Sequence, residues 1–145
     1  MNCVYCDSAD VQARKISENQ FAWAVPTNMP ITPGHTLVLP KRHVAALAEL
    51  SNEELIGIFS LALAVEKALT MSFGAAGFNC AFNQGEVAGQ SIPHFHLHIV
   101  PRTAGDSGIT EYEPRKFLYR PHSREETPES ELLAVAAQIR KGLPA

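Results

Sequence analysis

Cysteine is scarce and odd in number, three among 145 residues, which is a poor basis for a disulfide framework. A basic excess is missing too. Twelve lysines and arginines against fifteen acidic residues give a net charge of -3. That argues against nucleic acid as a partner, while leaving room for a small anion site. No uninterrupted apolar run approaches the roughly 18 residues of a membrane span, so no membrane partner is expected. The first ten residues, MNCVYCDSAD, lack the basic and apolar regions of a secretory signal. The expected location is cytoplasmic. Internal repeats, low-complexity tracts and long linkers are absent. At 46% hydrophobic and 19% charged, the chain is too apolar for global disorder. Its 145 residues suit one domain able to bury about two-thirds of its unfolded surface without disulfides.

What is present is a succession of short apolar runs. Residues 13–17 and 21–25 read as two strands joined by a tight turn at Glu18-Asn19-Gln20. Three prolines in 26–33 demand an irregular connection, and residues 35–39 form a third strand stopped by Pro40. A short turn or helix over 45–50 precedes Ser51-Asn52-Glu53-Glu54, spaced as a capping box. Leu55, Ile58, Phe59, Ala62 and Leu63 follow at three-four spacing and predict a helix to about Met71 with that stripe inward. Residues 78–82 form a fourth strand, with Cys80 expected as a small buried residue. A polar, glycine-rich loop over 83–91 leads to a fifth strand over 95–100. Residues 102–127 read as loop, and Thr127-Pro128 open a final amphipathic helix carrying Leu132, Leu133, Val135, Ala136 and Ile139. The class is α+β, with antiparallel pairing favoured by the short connections.

The chemistry is concentrated in His94-Phe95-His96-Leu97-His98-Ile99-Val100. Alternation along a strand puts the three histidines on one face, about 7 Å apart, and the apolar residues on the other. Such a row suits either a metal site or nucleophilic attack by a neutral imidazole on phosphorus. The preceding loop favours phosphorus. Asn83, Gln84, Gln90 and Ser91 are uncharged donors, and Gly85 and Gly89 let backbone amides approach a phosphate.

These residues resemble the histidine triad (HIT) superfamily, whose motif alternates three histidines with apolar residues and ends in two apolar residues. The resemblance extends through Gly89-Gln90-Ser91-Ile92-Pro93 and Asn83 to Pro33-Gly34-His35 and Pro40-Lys41-Arg42-His43. It implies a five-stranded antiparallel sheet with one long and one C-terminal helix, paired with a second copy into a ten-stranded homodimer. It further implies a nucleotide as substrate, with His96 as nucleophile and His98 beside the phosphate. His35 would orient the far nitrogen of His96. Asn83, Gln90 and Ser91 would contact phosphate or leaving group.

Microbial members of that family often bind structural zinc through an N-terminal C-x-x-C, which implies Cys3, Cys6, His43 and His94 as ligands here. Two thiolates three residues apart with two imidazoles make a closed tetrahedral set, structural rather than catalytic. The alternative is a reduced terminus with His94 bonded only within the triad. On this reading residues 1–12 are the zinc-binding N-terminus, 13–102 the core, and 103–145 a flap and helix. The family's ribose-binding Asp or Asn is replaced by Thr27, with Asn28 the nearest substitute. Val4, Tyr5, Ile16 and Phe21 are candidates to hold the base. The aromatics and basic residues of 112–120 could close over a second nucleotide or a partner's site, or form a solvated flap; His122 reads as exposed.

The function expected is hydrolysis of dinucleoside polyphosphates or nucleoside phosphoramidates at the α-phosphate. A nucleotide-binding module with little turnover, a nucleotidyl transferase, and a zinc hydrolase using all three triad imidazoles are the alternatives.

Overall fold

Residues 2–108 and 125–144 are described by the computed structural model. In chain order they form the short helices α1 (Val4–Asp7) and α2 (Ala9–Ala13), then strands β1 (Ser17–Glu18), β2 (Ala22–Pro26) and β3 (Thr36–Pro40). A 3-10 turn (Leu47–Glu49), helix α3 (Asn52–Phe73) and strand β4 (Gly77–Ala81) follow. A second 3-10 turn (Glu86–Ala88), strand β5 (Leu97–Arg102) and helix α4 (Glu129–Lys141) complete the order. The sheet runs β1-β2-β3-β5-β4 with every neighbouring pair antiparallel. This is the expected α+β architecture of five strands, one long helix and a C-terminal helix.

Alternation divides the sheet's residues between two layers. Ala22, Ala24, Val38, Leu97 and Ile99 join Phe95 in the main core against Ile58, Leu61, Val65 and Leu69 of α3 and Ala136 and Ile139 of α4. Trp23, Val25, Leu37 and Leu39 point the other way and are covered by Cys3, Tyr5 and Val11. The helices therefore build one face, and the N-terminal segment closes part of the other, where the histidines lie.

The capping box forms as expected. The Glu54 amide donates to Ser51 Oγ at 3.2 Å, and the Ser51 amide donates to Glu54 Oε2 at 2.8 Å. Its carboxylate also takes Arg42 at 2.8 Å, which with the cap holds the Glu54 carboxyl down at about 2.

Several expectations are corrected. The inward stripe of α3 is Ile58, Leu61, Ala62, Val65, Ala68 and Leu69, while Phe59 and Leu63 are exposed. The helix is apolar nearly all round, so spacing alone does not orient it. By length and composition α3 is also apolar enough to cross a membrane, although one face packs on the sheet. Residues 13–17 are not a strand: Ser8 caps α2 through the Val11 amide, and only Ser17–Glu18 joins the sheet. Cys80 is exposed rather than buried, because β4 is an edge strand lying beyond α3's main contact. Its thiol, 3.5 Å from Glu66 Oε1, is pushed up to about 11, chiefly by partial burial. Helix α4 starts one residue later than expected, with Pro128 as N-cap and no side-chain cap from Thr127. Strand β5 begins at Leu97, so of the three triad histidines only His98 is in the ladder. The readings for 112–120 and His122 lie outside the described residues.

Candidate active site and metal centre

The register of β3 against β5 places the key side chains. Thr36 pairs with Ile99 and Leu37 with His98, so His35 lies diagonally across from His98 and two further residues from His96. Gly34, just before His35, lets the chain lie close against α3. Its φ is +91°, and a Cβ there would stand 3.0 Å from Leu69 and 3.1 Å from Phe73.

Hydrogen bonds then assign each imidazole its tautomer. The Ile31 amide donates to His35 Nδ1 at 3.0 Å, so that nitrogen bears no proton and Nε2 carries one. His35 Nε2 donates to His98 Nδ1 at 2.9 Å, which leaves the proton of His98 on its own Nε2. His96 Nδ1 donates to the His94 carbonyl at 2.8 Å, which leaves His96 Nε2 with a lone pair. His94 Nε2 donates to the Pro40 carbonyl at 2.9 Å, and its lone pair sits on Nδ1. Burial lowers the pKa of His96 and of His94 below the ordinary 6.5, keeping both rings neutral. The expectation that His35 orients His96 is thus corrected. Register brings His35 to His98, and the adjacent peptide carbonyl performs that task for His96.

His94 turns its Nδ1 to a different set of groups. Cys3 Sγ is 3.6 Å away, Cys6 Sγ 3.5 Å and His43 Nδ1 3.2 Å. All four donor atoms lie within 4.8 Å of one another. A tetrahedral zinc with bonds of about 2.3 Å to sulfur and 2.0–2.1 Å to nitrogen sets N···N near 3.3 Å and N···S near 3.5 Å. The donor set and spacing fit such an ion, and Cys3, Cys6, His43 and His94 can hold one. The Cys6 thiol is pushed up to about 11, first by burial and then by Cys3 and Asp7; a bound cation reverses that preference. A single ion on all three triad imidazoles does not suit these tautomers, because His94 aims at the thiols while His96 and His98 commit Nδ1 elsewhere.

Tyr5 joins the two clusters. It sits between the two thiols in sequence, with its ring 5.8 Å from that of His94 and 5.4 Å from that of His96. It also lines a cavity of about 830 Å³ together with Thr27, Asn28, Ser91, His96 and His98. Val4 lines the same cavity, whereas Ile16 belongs to the main core and Phe21 packs on Gly57. Asn83 and Gln90 do not line it, contrary to expectation. Gln90 accepts from the Gly85 amide at 2.8 Å and donates to the Ala45 carbonyl at 2.9 Å, and Asn83 donates to the Gly89 carbonyl at 3.3 Å. Both side chains brace the loop whose Gly89 and Ser91 reach the cavity.

One pair escaped sequence reasoning altogether. Arg14 Nη1 and Glu129 Oε2 meet at 2.7 Å on the cavity wall, from positions 115 apart in the chain. Neither residue stands in a motif, so no local signal was available.

Residues 8–105 match the HIT domain family. An adenosine 5'-monophosphoramidase of Schizosaccharomyces pombe is 33% identical over 111 residues, 75% of this chain and 80% of that protein. A bis(5'-nucleosyl)-tetraphosphatase (asymmetrical) of the same organism is 40% identical over 77 residues, 53% of this chain and 42% of that one. Among solved structures, a zinc-bound histidine triad family protein of Mycobacterium smegmatis superposes with a TM-score of 0.69 at 31% identity, covering 97% of both chains.

Proposed function

The chain belongs to the HIT domain family, and from that premise we propose that it hydrolyses nucleotides at the α-phosphate through a nucleotidyl-histidine intermediate. The observation that carries the reading is the bond from His96 Nδ1 to the His94 carbonyl, which directs the lone pair of a neutral imidazole to Nε2 beside the cavity. In the first step Nε2 bonds to phosphorus and the bond from phosphorus to the leaving group breaks. The Nε2–H of His98, set by His35, donates to a phosphate oxygen where charge develops. In the second step water bonds to phosphorus, the P–N bond breaks, and nucleoside monophosphate leaves with a proton released to solvent. The Ser91 hydroxyl supplies a further donor, while Asn83 and Gln90 hold that loop in shape and the Ala88, Gly89 and Gln90 amides are spent within it.

The substrate class is dinucleoside polyphosphates or nucleoside phosphoramidates, supported by the activities named for the two fission-yeast relatives. A zinc ion on Cys3, Cys6, His43 and His94 would be structural, tying the N-terminus and Tyr5 to the sheet. A homodimer fits the edge of β4, which pairs with no further strand among the described residues, and the exposed Ile56, Phe59 and Leu63 of α3, and light scattering would read its mass.

The test is rapid-quench incubation with radiolabelled diadenosine tetraphosphate, followed by mass spectrometry of the trapped protein. An adenylyl adduct on His96 that decays as AMP appears is expected. Nucleotide binding with neither adduct nor AMP, for this substrate and for an adenosine phosphoramidate, would leave a binding module instead. Transfer to an acceptor other than water would show as an adduct that decays without AMP.

A further inference from the structure

Among the described residues His96 makes a single ring hydrogen bond, from Nδ1 to the His94 carbonyl at 2.8 Å. One bond fixes one atom and not the plane of the ring, because the outer torsion of an imidazole has broad wells. A ring that swings loosens that bond, and the proton is then free to move to Nε2, where it blocks attack. Packing must supply the rest of the restraint. Two rings lie against that of His96: His98 at 5.0 Å between centroids and Tyr5 at 5.4 Å. They have different origins. His98 is part of β5, and its own ring is bonded to His35. Tyr5 belongs to no strand and arrives on α1, in the segment that carries the two thiols.

We propose that Tyr5 is a positioning residue for His96, its ring holding the imidazole with Nδ1 on the His94 carbonyl and Nε2 free to attack. The inference rests on the nucleotide reading above. Tyr5 is itself well fixed. It is buried in one cluster with Trp23, Val25, Leu37 and Leu39. Its carbonyl accepts from Gln12 Nε2 at 2.7 Å, and the Cys3 amide donates to Asp7 Oδ2 at 2.8 Å. Its hydroxyl has no hydrogen-bond partner among the described residues, so the ring and not the oxygen makes the contact. The same ring stands edge-on to His94 at 5.8 Å, so whatever fixes Cys3 and Cys6 also fixes this wall. Tyr5 and His96 both line the cavity, and a direct contact of Tyr5 with the nucleoside is the competing role. The two roles separate kinetically: positioning acts on the rate of the chemical step, contact on affinity.

The test compares the natural full chain with Tyr5→Leu, which removes the ring, and Tyr5→Phe, which keeps it. Three quantities are read: the single-turnover rate of adduct formation at saturating diadenosine tetraphosphate, the affinity for AMP, and the His96 tautomer by nitrogen-15 NMR of labelled histidine. Tyr5→Leu is expected to form the adduct about tenfold more slowly while AMP affinity stays within about twofold. Its His96 should carry the proton partly on Nε2, where the natural protein holds it on Nδ1. Tyr5→Phe should recover most of the rate and the natural tautomer. Tyr5→Met, which keeps side-chain length without a ring, replaces the leucine variant if that variant does not fold. The proposal is overturned if the ringless variant keeps the natural rate and tautomer, if its loss lies in affinity alone, or if Tyr5→Phe is as slow as Tyr5→Leu. If the natural protein forms no adduct, the nucleotide reading has failed before any variant is made. The tautomer measurement needs no substrate, so it still judges whether Tyr5 orients His96.

Discussion

His94 and His96 are two residues apart, face the same side of the sheet and are both buried, yet they occupy chemically different sites. In His94 the fold ties Nε2 to the Pro40 carbonyl and turns Nδ1 to two thiols and the His43 ring. In His96 the fold ties Nδ1 to the His94 carbonyl and leaves Nε2 beside an 830 Å³ cavity. The lesson is that a backbone carbonyl chooses which nitrogen of a neutral imidazole keeps its lone pair, and so whether that ring suits an ion or a phosphorus atom. Tyr5 lies against both rings and lines the cavity, so one side chain connects the thiol–imidazole cluster to it.

The largest expected effect breaks the comparison on the His96 side. His96→Ala should lower AMP release by roughly 10⁴-fold or more while metal content by elemental analysis stays at the natural level. Retention of substantial turnover would remove His96 as nucleophile. The mirror experiment replaces Cys3 and Cys6 together by alanine. Bound zinc should be lost and the melting temperature should fall by roughly 10 °C, whereas a chain that melts as before never depended on an ion there. A smaller effect is expected for His35→Ala, which disturbs His98 through the 2.9 Å bond. Turnover should fall by about a hundredfold with KM and zinc content little changed; an equal loss in zinc would mean the two regions are not separable.

The finest test is pH. Burial lowers the His96 pKa below 6.5, and protonation would occupy the Nε2 lone pair, so adduct formation should be lost as pH falls. Because the shift is downward, the rate should hold through pH 6.5 and decline only below it. A decline already centred at or above 6.5 in single-turnover measurements would contradict the neutral, buried imidazole.

Much of this was legible because it is local. Ser51 and Glu54 are three residues apart, and a capping box needs nothing else. Phe95, Leu97 and Ile99 alternate with His94, His96 and His98, and they do enter the main core while the histidines face away from it. The orientation of α3 was not legible, since Phe59 and Leu63 are as apolar as Ile58 and Leu61, and only the position of the sheet selects between them. Cys80 misled for a related reason. An apolar run reads as buried, but an edge strand leaves its outer residues to solvent.

By itself the sequence determined the residue types and spacings that make the chemistry available: the alternating triad, the paired thiols, the Pro-Gly-His turn and the short strands of an antiparallel sheet. Tertiary structure decided which atoms meet. The register of β3 on β5 gave His35 to His98 rather than to His96, and chain closure brought Arg14 to Glu129. Pattern acts over a few residues, whereas register and closure come from packing the whole core, and a hydrogen bond is decided within a few tenths of an ångström.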